Sequence, residues 1–302
     1  MGSLKKILVT GANGFVGSHV LKLLLKNSFC PILILRKESS LWRIRDLVQD
    51  SKCVIYYSDA SSFYFGRIFE DHQIYGIIHL ATDYGRDSSL ADIVETNVIF
   101  PIKLLETGNE FLKIFINTDT FFAKPQFNQT YLKQYTNSKR ALENILKAYN
   151  GKVKIVNLRL EHVFGELDAD GKFFTSTLKN LLENKKTIQL TEGIQKRDFI
   201  YVEDVARAYI LILKRLDFLE SYQEFEVGRG SSITIRDFVI KLAEFANSTS
   251  KLNFGALKPR EGDIEESNAN NQNLINLGWE IKNTLDKEIQ SIIRIEKTRF
   301  DL

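Results

Sequence analysis

Tyr135 and Lys139 stand four residues apart in Tyr135-Thr136-Asn137-Ser138-Lys139. On a helix that spacing puts both side chains on one face. A free phenol has a pKa of about 10, too high for ready proton exchange near neutrality. A neighbouring ammonium favours the phenolate. A tyrosine so placed can protonate a carbonyl oxygen, or deprotonate an alcohol, while a hydride moves at the carbon. Lys139 can also reach the ribose of a nicotinamide cofactor. Many solvent-facing helices carry such a pair, so its context decides. Ile116-Asn117-Thr118-Asp119-Thr120 ends an apolar, strand-like run. Thr118 there is placed to donate to a substrate oxygen beside Tyr135, or to cap a following turn.

A second constellation opens the chain. Thr10-Gly11-Ala12-Asn13-Gly14-Phe15-Val16-Gly17 follows one apolar run and precedes a helical pattern. Glycines at 11, 14 and 17 allow a tight turn, close approach of a pyrophosphate to backbone N–H groups and close helix–strand packing. The strand before and the helix after supply the setting such a turn needs to bind a dinucleotide. The second run ends Leu35-Arg36-Lys37. An acidic residue there suits a ribose 2′-hydroxyl and an Arg suits a 2′-phosphate, so Arg36 points to NADPH (NADP+); Glu38 keeps NAD open. Asp59 and Ala60, after the third run, are expected to meet the adenine end, although an Asp in a loop also serves as a cap.

These residues need elements to hold them. Apolar runs at 6–10, 32–35, 54–57, 74–80, 114–117 and 153–158 are short and rich in Ile, Val and Phe, as strands buried on both faces are. Helical patterns at 16–26, 88–106 and 133–149 alternate with them. Pro101 kinks or restarts the second. Such alternation predicts an α/β chain with a Rossmann-type, doubly wound parallel sheet. Beyond residue 160 helices are expected at 173–184, 202–216, 234–247 and 284–298, with short strands at 187–190, 199–201 and 224–227. The expected division is a dinucleotide-binding domain over 1–165, to which 197–228 returns, and a smaller mixed α/β substrate region over 166–196 and 229–302.

Composition narrows the function. A net charge of +3 over 302 residues leaves no basic stripe, which argues against nucleic acid as a partner. Cys30 and Cys53 form no metal-ligand or disulfide pattern, and no metal is expected. No apolar run reaches the length of a membrane span, and the first is too short for a signal peptide; a cytoplasmic protein without membrane contact is expected.

Taken in order, these pieces resemble the extended short-chain dehydrogenase/reductase family over nearly the whole chain. The resemblance rests on Gly11–Gly17, Asp59, His79-Leu80-Ala81-Thr82, Asn97, Thr118, Tyr135 with Lys139, Arg197-Asp198-Phe199-Ile200-Tyr201-Val202-Glu203-Asp204-Val205-Ala206 and Leu277-Gly278-Trp279. It implies that Asn97 organises backbone near the cofactor, as Leu80, Ala81 and Thr82 border it. It also implies that Thr118 meets the substrate oxygen, that Tyr135 is the acid/base and that Lys139 assists. Arg197 and Arg260 match positions that meet a sugar nucleotide's diphosphate. Asp83, Tyr84, Asp119, Thr120, Glu161 and His162 are expected near the substrate. A homodimer is implied too. Phe122-Ala123 replaces the usual Tyr-Gly. Residues 76–85, 117–124, 159–165 and 254–256 further resemble NADPH-dependent reductases of CDP-linked 4-keto-3,6-dideoxy sugars in O-antigen synthesis.

Related chemistries share this pattern. A 4,6-dehydratase carries an Asp-Glu pair after the Thr, and this chain has Asp119 followed by Thr120. A 4-epimerase retains its nicotinamide and prefers NAD, against which Arg36 and Lys37 speak. A non-catalytic dinucleotide sensor has no need of Tyr135 and Lys139 in register with Thr118. The expected activity is therefore reduction of the C4 ketone of a nucleotide-diphosphate 6-deoxy or 3,6-dideoxy sugar.

Overall fold

Ile7, Leu8, Val9 and Thr10 are all fully buried, as a strand covered on both faces must be. In the computed structural model, which describes residues 4–50, 53–58, 65–128 and 131–301, they belong to β1 (Lys6–Thr10). The chain continues through α1 (Phe15–Lys26), β2 (Cys30–Leu35), α2 (Arg45–Gln49), β3 (Val54–Tyr57), α3 (Gly66–Asp71) and β4 (Ile74–His79). Then come α4 (Leu90–Val94), α5 (Phe100–Thr107), β5 (Ile114–Thr120), α6 (Lys133–Lys147) and β6 (Lys154–Leu160). The second half holds β7 (His162–Phe164), α7 (Phe173–Leu182), β8 (Thr187–Gln189), β9 (Lys196–Arg197), β10 (Phe199–Tyr201), α8 (Val202–Lys214) and β11 (Tyr222–Val227). It closes with β12 (Ile233–Thr234), α9 (Ile235–Ala246), β13 (Lys251–Asn253), β14 (Glu266–Ser267), α10 (Gln272–Asn276) and α11 (Leu285–Arg299).

A seven-stranded parallel sheet runs β11-β6-β5-β4-β1-β2-β3. Strand alternation splits its core. Ile7 and Val9 pack with Val20, Leu21 and Leu24 of α1 and with Val205, Ala206 and Tyr209 of α8. Leu8 faces the other way, onto a cluster with Ile68 of α3, Leu104 and Leu105 of α5, and Leu142 and Leu146 of α6. Helices thus cover both faces of a Rossmann-type, doubly wound sheet. Strand order reverses between β1 and β4, and the crevice there is where open α/β sheets bind ligands.

A third cluster lies beyond the sheet. Phe164, Phe199 and Tyr201 from β7 and β10 pack with α7, α9 and α11, and the Phe199 and Phe238 rings stack 3.7 Å apart. Short pairings β7/β10, β8/β13 and β9 with β12 and β14 frame this part. Among the described residues no helix is long and apolar enough to cross a membrane.

The expected strands form, with shifted ends. β5 runs on to Thr120, beyond the apolar run, because it pairs with β6 up to Leu160. β7 has no periodic signal; it exists through its pairing with β10. The single helical pattern at 88–106 is broken. α4 gives way to a π turn at Glu95–Ile99, and α5 restarts with Pro101 in its first turn. Pro101 has no N–H for the carbonyl of Asn97, so the ladder must change register there.

The glycine turn after β1 is the tightest point. A Cβ on Gly17 would overlap the Gly11 carbonyl oxygen. Gly17→Ala is therefore expected to cost about 1–3 kcal/mol, the range for overpacking. Thermal unfolding checks this: a variant melting with the parent protein would show that the turn relaxes freely.

Candidate active site

The turn between β1 and α1 lies on the crevice. Gly11 has φ +69°, and a Cβ there would come within 2.6 Å of the Ala81 amide nitrogen. The ends of β1 and β4 thus touch backbone to backbone. Thr10 Oγ1 holds them together, sharing a hydrogen bond with His79 Nδ1 at 2.9 Å and accepting the Ala81 N–H at 3.2 Å. Burial keeps His79 neutral, with a pKa well below that of a free imidazole. α1 starts at Phe15, so the N–H groups of Phe15, Val16 and Gly17 are the helix's unsatisfied first-turn donors. Asn13 Nδ2 donates to the Ser40 carbonyl, and Arg43 donates to the carbonyls of Asn13 and Leu167. The segment after β2 is thereby tied to the glycine turn. Arg36 is exposed at its start. Asp59 and Ala60 lie outside the described residues.

Tyr135 and Lys139, on the first turns of α6, are 5% and 2% exposed. Lys139 Nζ donates to the Thr118 carbonyl at 2.9 Å and lies 6.0 Å from the Tyr135 ring centre. Burial pushes the Tyr135 phenol well above the ordinary tyrosine range, with Tyr84 and Asp119 adding to the rise. Hydrogen bonds with Thr120 and Thr82 oppose it. The expected lowering by Lys139 does not figure among these influences, and burial dominates. Lys139 is itself brought down by burial to about 8, with Asp119 pulling it up.

Asn97 organises this neighbourhood from the π turn. Its Oδ1 accepts the Asp83 N–H at 2.7 Å and the Thr82 hydroxyl at 3.2 Å. Its Nδ2 donates to the Asp83 carbonyl at 2.8 Å and to Ser138 Oγ at 2.9 Å. All of its amide's bonds are used, so its orientation is fixed. Ser138 Oγ passes on to the Tyr135 carbonyl at 2.7 Å. Asn97 thereby joins the segment after β4 to α6. Asp83 uses its carboxylate to cap the Gly85 N–H. Tyr84 lays its ring 4.9 Å from that of Tyr135, and Lys172 Nζ stands 4.5 Å over the Tyr84 ring.

The other residues expected near the substrate have the following partners. Asp119 is 3% exposed and bonded to Arg159 and Asn157, because β5 alternation turns it away from Thr118. Glu161 is buried against Lys124 and Ser267. Burial raises its pKa to about 7 against the pull of Lys124. Arg197 is buried and bonded to Asp263 at 2.9 Å. Arg260 is exposed, with its guanidinium 4.5 Å from the Tyr131 ring centre. His162 is half-buried between Phe121 and Phe199, and its Nδ1 has no hydrogen-bond partner among the described residues. Burial, then Arg197, Lys172 and Arg260, brings it down to about 3, so it is neutral. Thr118 Oγ1 shares a hydrogen bond with the Tyr209 hydroxyl of α8 at 2.7 Å, and the β5 hydroxyl on Tyr135 is that of Thr120. Lys124, Lys172 and Tyr209 give no sequence signal: each matters through a partner at least 37 positions away.

Residues 7–228 match the model of the NAD dependent epimerase/dehydratase family. The chain is 34% identical to CDP-abequose synthase of Salmonella typhimurium, covering 95% of this chain and 97% of that protein. The Salmonella muenchen enzyme of the same name is 35% identical, covering 97% and 98%. UDP-glucuronate 4-epimerase of Thermodesulfobacterium geofontis is 26% identical, covering 98% and 97%. Among solved structures, UDP-glucuronic acid 4-epimerase from Bacillus cereus, in complex with UDP-glucuronic acid and NAD, superposes with a TM-score of 0.83 at 24% identity. It covers 97% of this chain and 99% of that one, and shows the same fold. The chain belongs to the NAD dependent epimerase/dehydratase family, within the extended short-chain dehydrogenase/reductases, and is an NAD(P)-dependent oxidoreductase.

Proposed function

We propose that the protein reduces the C4 ketone of a nucleotide-diphosphate 6-deoxy or 3,6-dideoxy sugar, with NADPH as the reductant and CDP as the favoured nucleotide. One observation carries the choice of reduction. The β5 side chain hydrogen-bonded to the Tyr135 phenol is the neutral hydroxyl of Thr120, and the adjacent carboxylate of Asp119 is bound to Arg159. Loss of water needs a free carboxylate there to exchange protons at neighbouring carbons. Likeness to the two CDP-abequose synthases over 95% and 97% of the chain supports the ketosugar and the CDP group, and surface-polysaccharide synthesis as the setting.

The residues present suit a dinucleotide. The turn is bare where a Cβ on Gly11 or Gly17 would strike backbone, leaving the first-turn amides of α1 open to a diphosphate. Arg36 would take the 2′-phosphate, Lys139 the nicotinamide ribose, and Leu80, Ala81 and Thr82 would border the ring. A bound nicotinamide supplies the hydride. Tyr135 gives its proton to the ketone oxygen; burial keeps that proton on the phenol until the developing alkoxide, a stronger base, takes it. Lys139, charged at neutral pH, stabilises the resulting phenolate. Arg197 is already balanced by Asp263, so Arg260 and Lys172, both of which help keep His162 neutral, would carry most of the attraction for the sugar's diphosphate. A homodimer in the cytoplasm remains part of this reading.

The direct assay supplies NADPH or NADH with CDP-, dTDP- and GDP-linked 4-keto-6-deoxy sugars, with and without the 3-hydroxyl. Stoichiometric NADPH loss and a product heavier by two hydrogens are expected, with NADH consumed more slowly. Product without net NADPH loss would instead establish a 4-epimerase. In the same assay Tyr135→Phe should lower turnover by about a hundredfold or more, with cofactor affinity nearly unchanged; turnover close to the parent's would remove Tyr135 from the mechanism.

Lys139 generates a stability prediction. Its folded pKa of about 8 lies below the ordinary 10.5. Between those values the unfolded chain binds more protons, so stability rises with pH there. Lys139→Met is expected to stabilise the protein at pH 7, by on the order of 1–3 kcal/mol. That gain should shrink as the pH nears 10. Equal melting differences at pH 7 and pH 10 would contradict the buried charge.

A further inference from the structure

Tyr209 lies outside every motif named above, yet its hydroxyl reaches the end of β5. The residue is 0% exposed on α8, and its Oη lies 2.7 Å from Thr118 Oγ1. Thr118, by contrast, is half-buried at the crevice end of the strand. Its carbonyl is taken by Lys139 Nζ at 2.9 Å.

The direction of the Tyr209–Thr118 bond follows from burial. Burial holds the Tyr209 phenol protonated, well above the usual range, with Thr118 opposing the rise. A fully buried O–H that does not donate costs its full desolvation penalty, and Thr118 Oγ1 is the partner the structure offers. Tyr209 therefore donates and Thr118 accepts. The remaining hydrogen of the Thr118 hydroxyl must then point away from Tyr209, and Thr118 lies near the C-terminal end of β5, the end that borders the crevice.

We infer that Tyr209 is a positioning residue: by donating to Thr118 Oγ1 it turns the Thr118 proton toward the sugar oxygen. The inference rests on the ketosugar reading for its substrate. Two threonines then divide the work. Thr120 holds the Tyr135 phenol, and Thr118, steered from behind by Tyr209, meets the ketone oxygen. As C4=O becomes C4–O–H, the carbon takes the hydride and the oxygen takes the Tyr135 proton. Thr118 and Tyr209 keep their own protons throughout; they orient and do not exchange.

A double-mutant cycle tests this. Tyr209→Phe keeps the ring and removes only the donor. In the parent protein it should lower kcat about tenfold with little change in KM, the signature of lost orientation. In a Thr118→Ala background, where nothing is left to orient, the same change should cost nearly nothing further. Equal losses in both backgrounds, or a loss confined to KM, would overturn the inference and leave Tyr209 a packing residue. A readout without substrate separates this from the ketosugar reading. With 13Cζ-labelled tyrosine, the Tyr209 resonance, assigned by its absence in Tyr209→Phe, should shift in Thr118→Val. If it does not move, the bond is absent and the inference fails, whatever sugar the protein accepts. If it moves but the parent reduces no ketosugar, the substrate reading falls and the Tyr209–Thr118 bond stands.

Discussion

One buried guanidinium sets the geometry of the active end. Arg159, on β6, is 2% exposed. It binds Asp119 of β5 at 3.1 Å, Glu143 of α6 at 3.0 Å and Glu224 of β11 at 2.5 Å. Asp119 lies between Thr118 and Thr120, and Glu143 is one helical turn beyond Lys139. The residues proposed for the chemistry therefore ride on elements joined through a single cation. Removing Arg159 would leave these buried carboxylates without their shared cation, a loss of about 3–5 kcal/mol. Asn157 helps, donating to Asp119 at 3.0 Å and to Glu224 at 3.4 Å. Lys147, which pairs with Glu143, supplies a second positive charge.

The site differs in character from this support. The groups around the Tyr135 hydroxyl are neutral: Thr120, Thr82 and, behind them, the fully engaged amide of Asn97. Charge is kept one layer back, in Lys139 and Asp119. In a dry site each remaining charge acts strongly, which is what the proposed transient phenolate needs. The π turn that carries Asn97 is part of the same arrangement. It widens the helix where Pro101 breaks the regular ladder, and it sets Asn97 against both the segment after β4 and α6.

Much of this was legible from residue order. The strands of the large sheet, the glycine turn, the Tyr135–Lys139 face and the helix break near Pro101 all follow from period, spacing and backbone chemistry. What was not legible has a common cause. Asp119 and Glu161 look like groups for chemistry because they are carboxylates at strand ends. Their fates were decided by Arg159 and Lys124, cations 40 and 37 positions away that no local pattern connects. Arg197 likewise gains a partner, Asp263, that stands 66 positions along the chain. Tyr209 reads as one more apolar residue on the buried stripe of α8. A one-dimensional pattern shows which face of an element is covered and leaves open which polar partner arrives from the far end of the chain.

The tie between Lys124 and Glu161 sets a timetable for a chain made from its N-terminus. Lys124 Nζ also donates to the Asn268 carbonyl at 2.7 Å, and Glu161 accepts from Ser267 at 2.8 Å. The strands from β1 to β6 lie side by side and can pair once about half the chain has left the ribosome, as N-terminal units fold first. The polar cluster at the ends of β5 and β6 stays incomplete until Ser267 and Asn268 emerge. Synthesis thus separates two events in time: the glycine turn can form early, whereas the polar cluster around Lys124 and Glu161 is finished only when the segment carrying Ser267 and Asn268 docks.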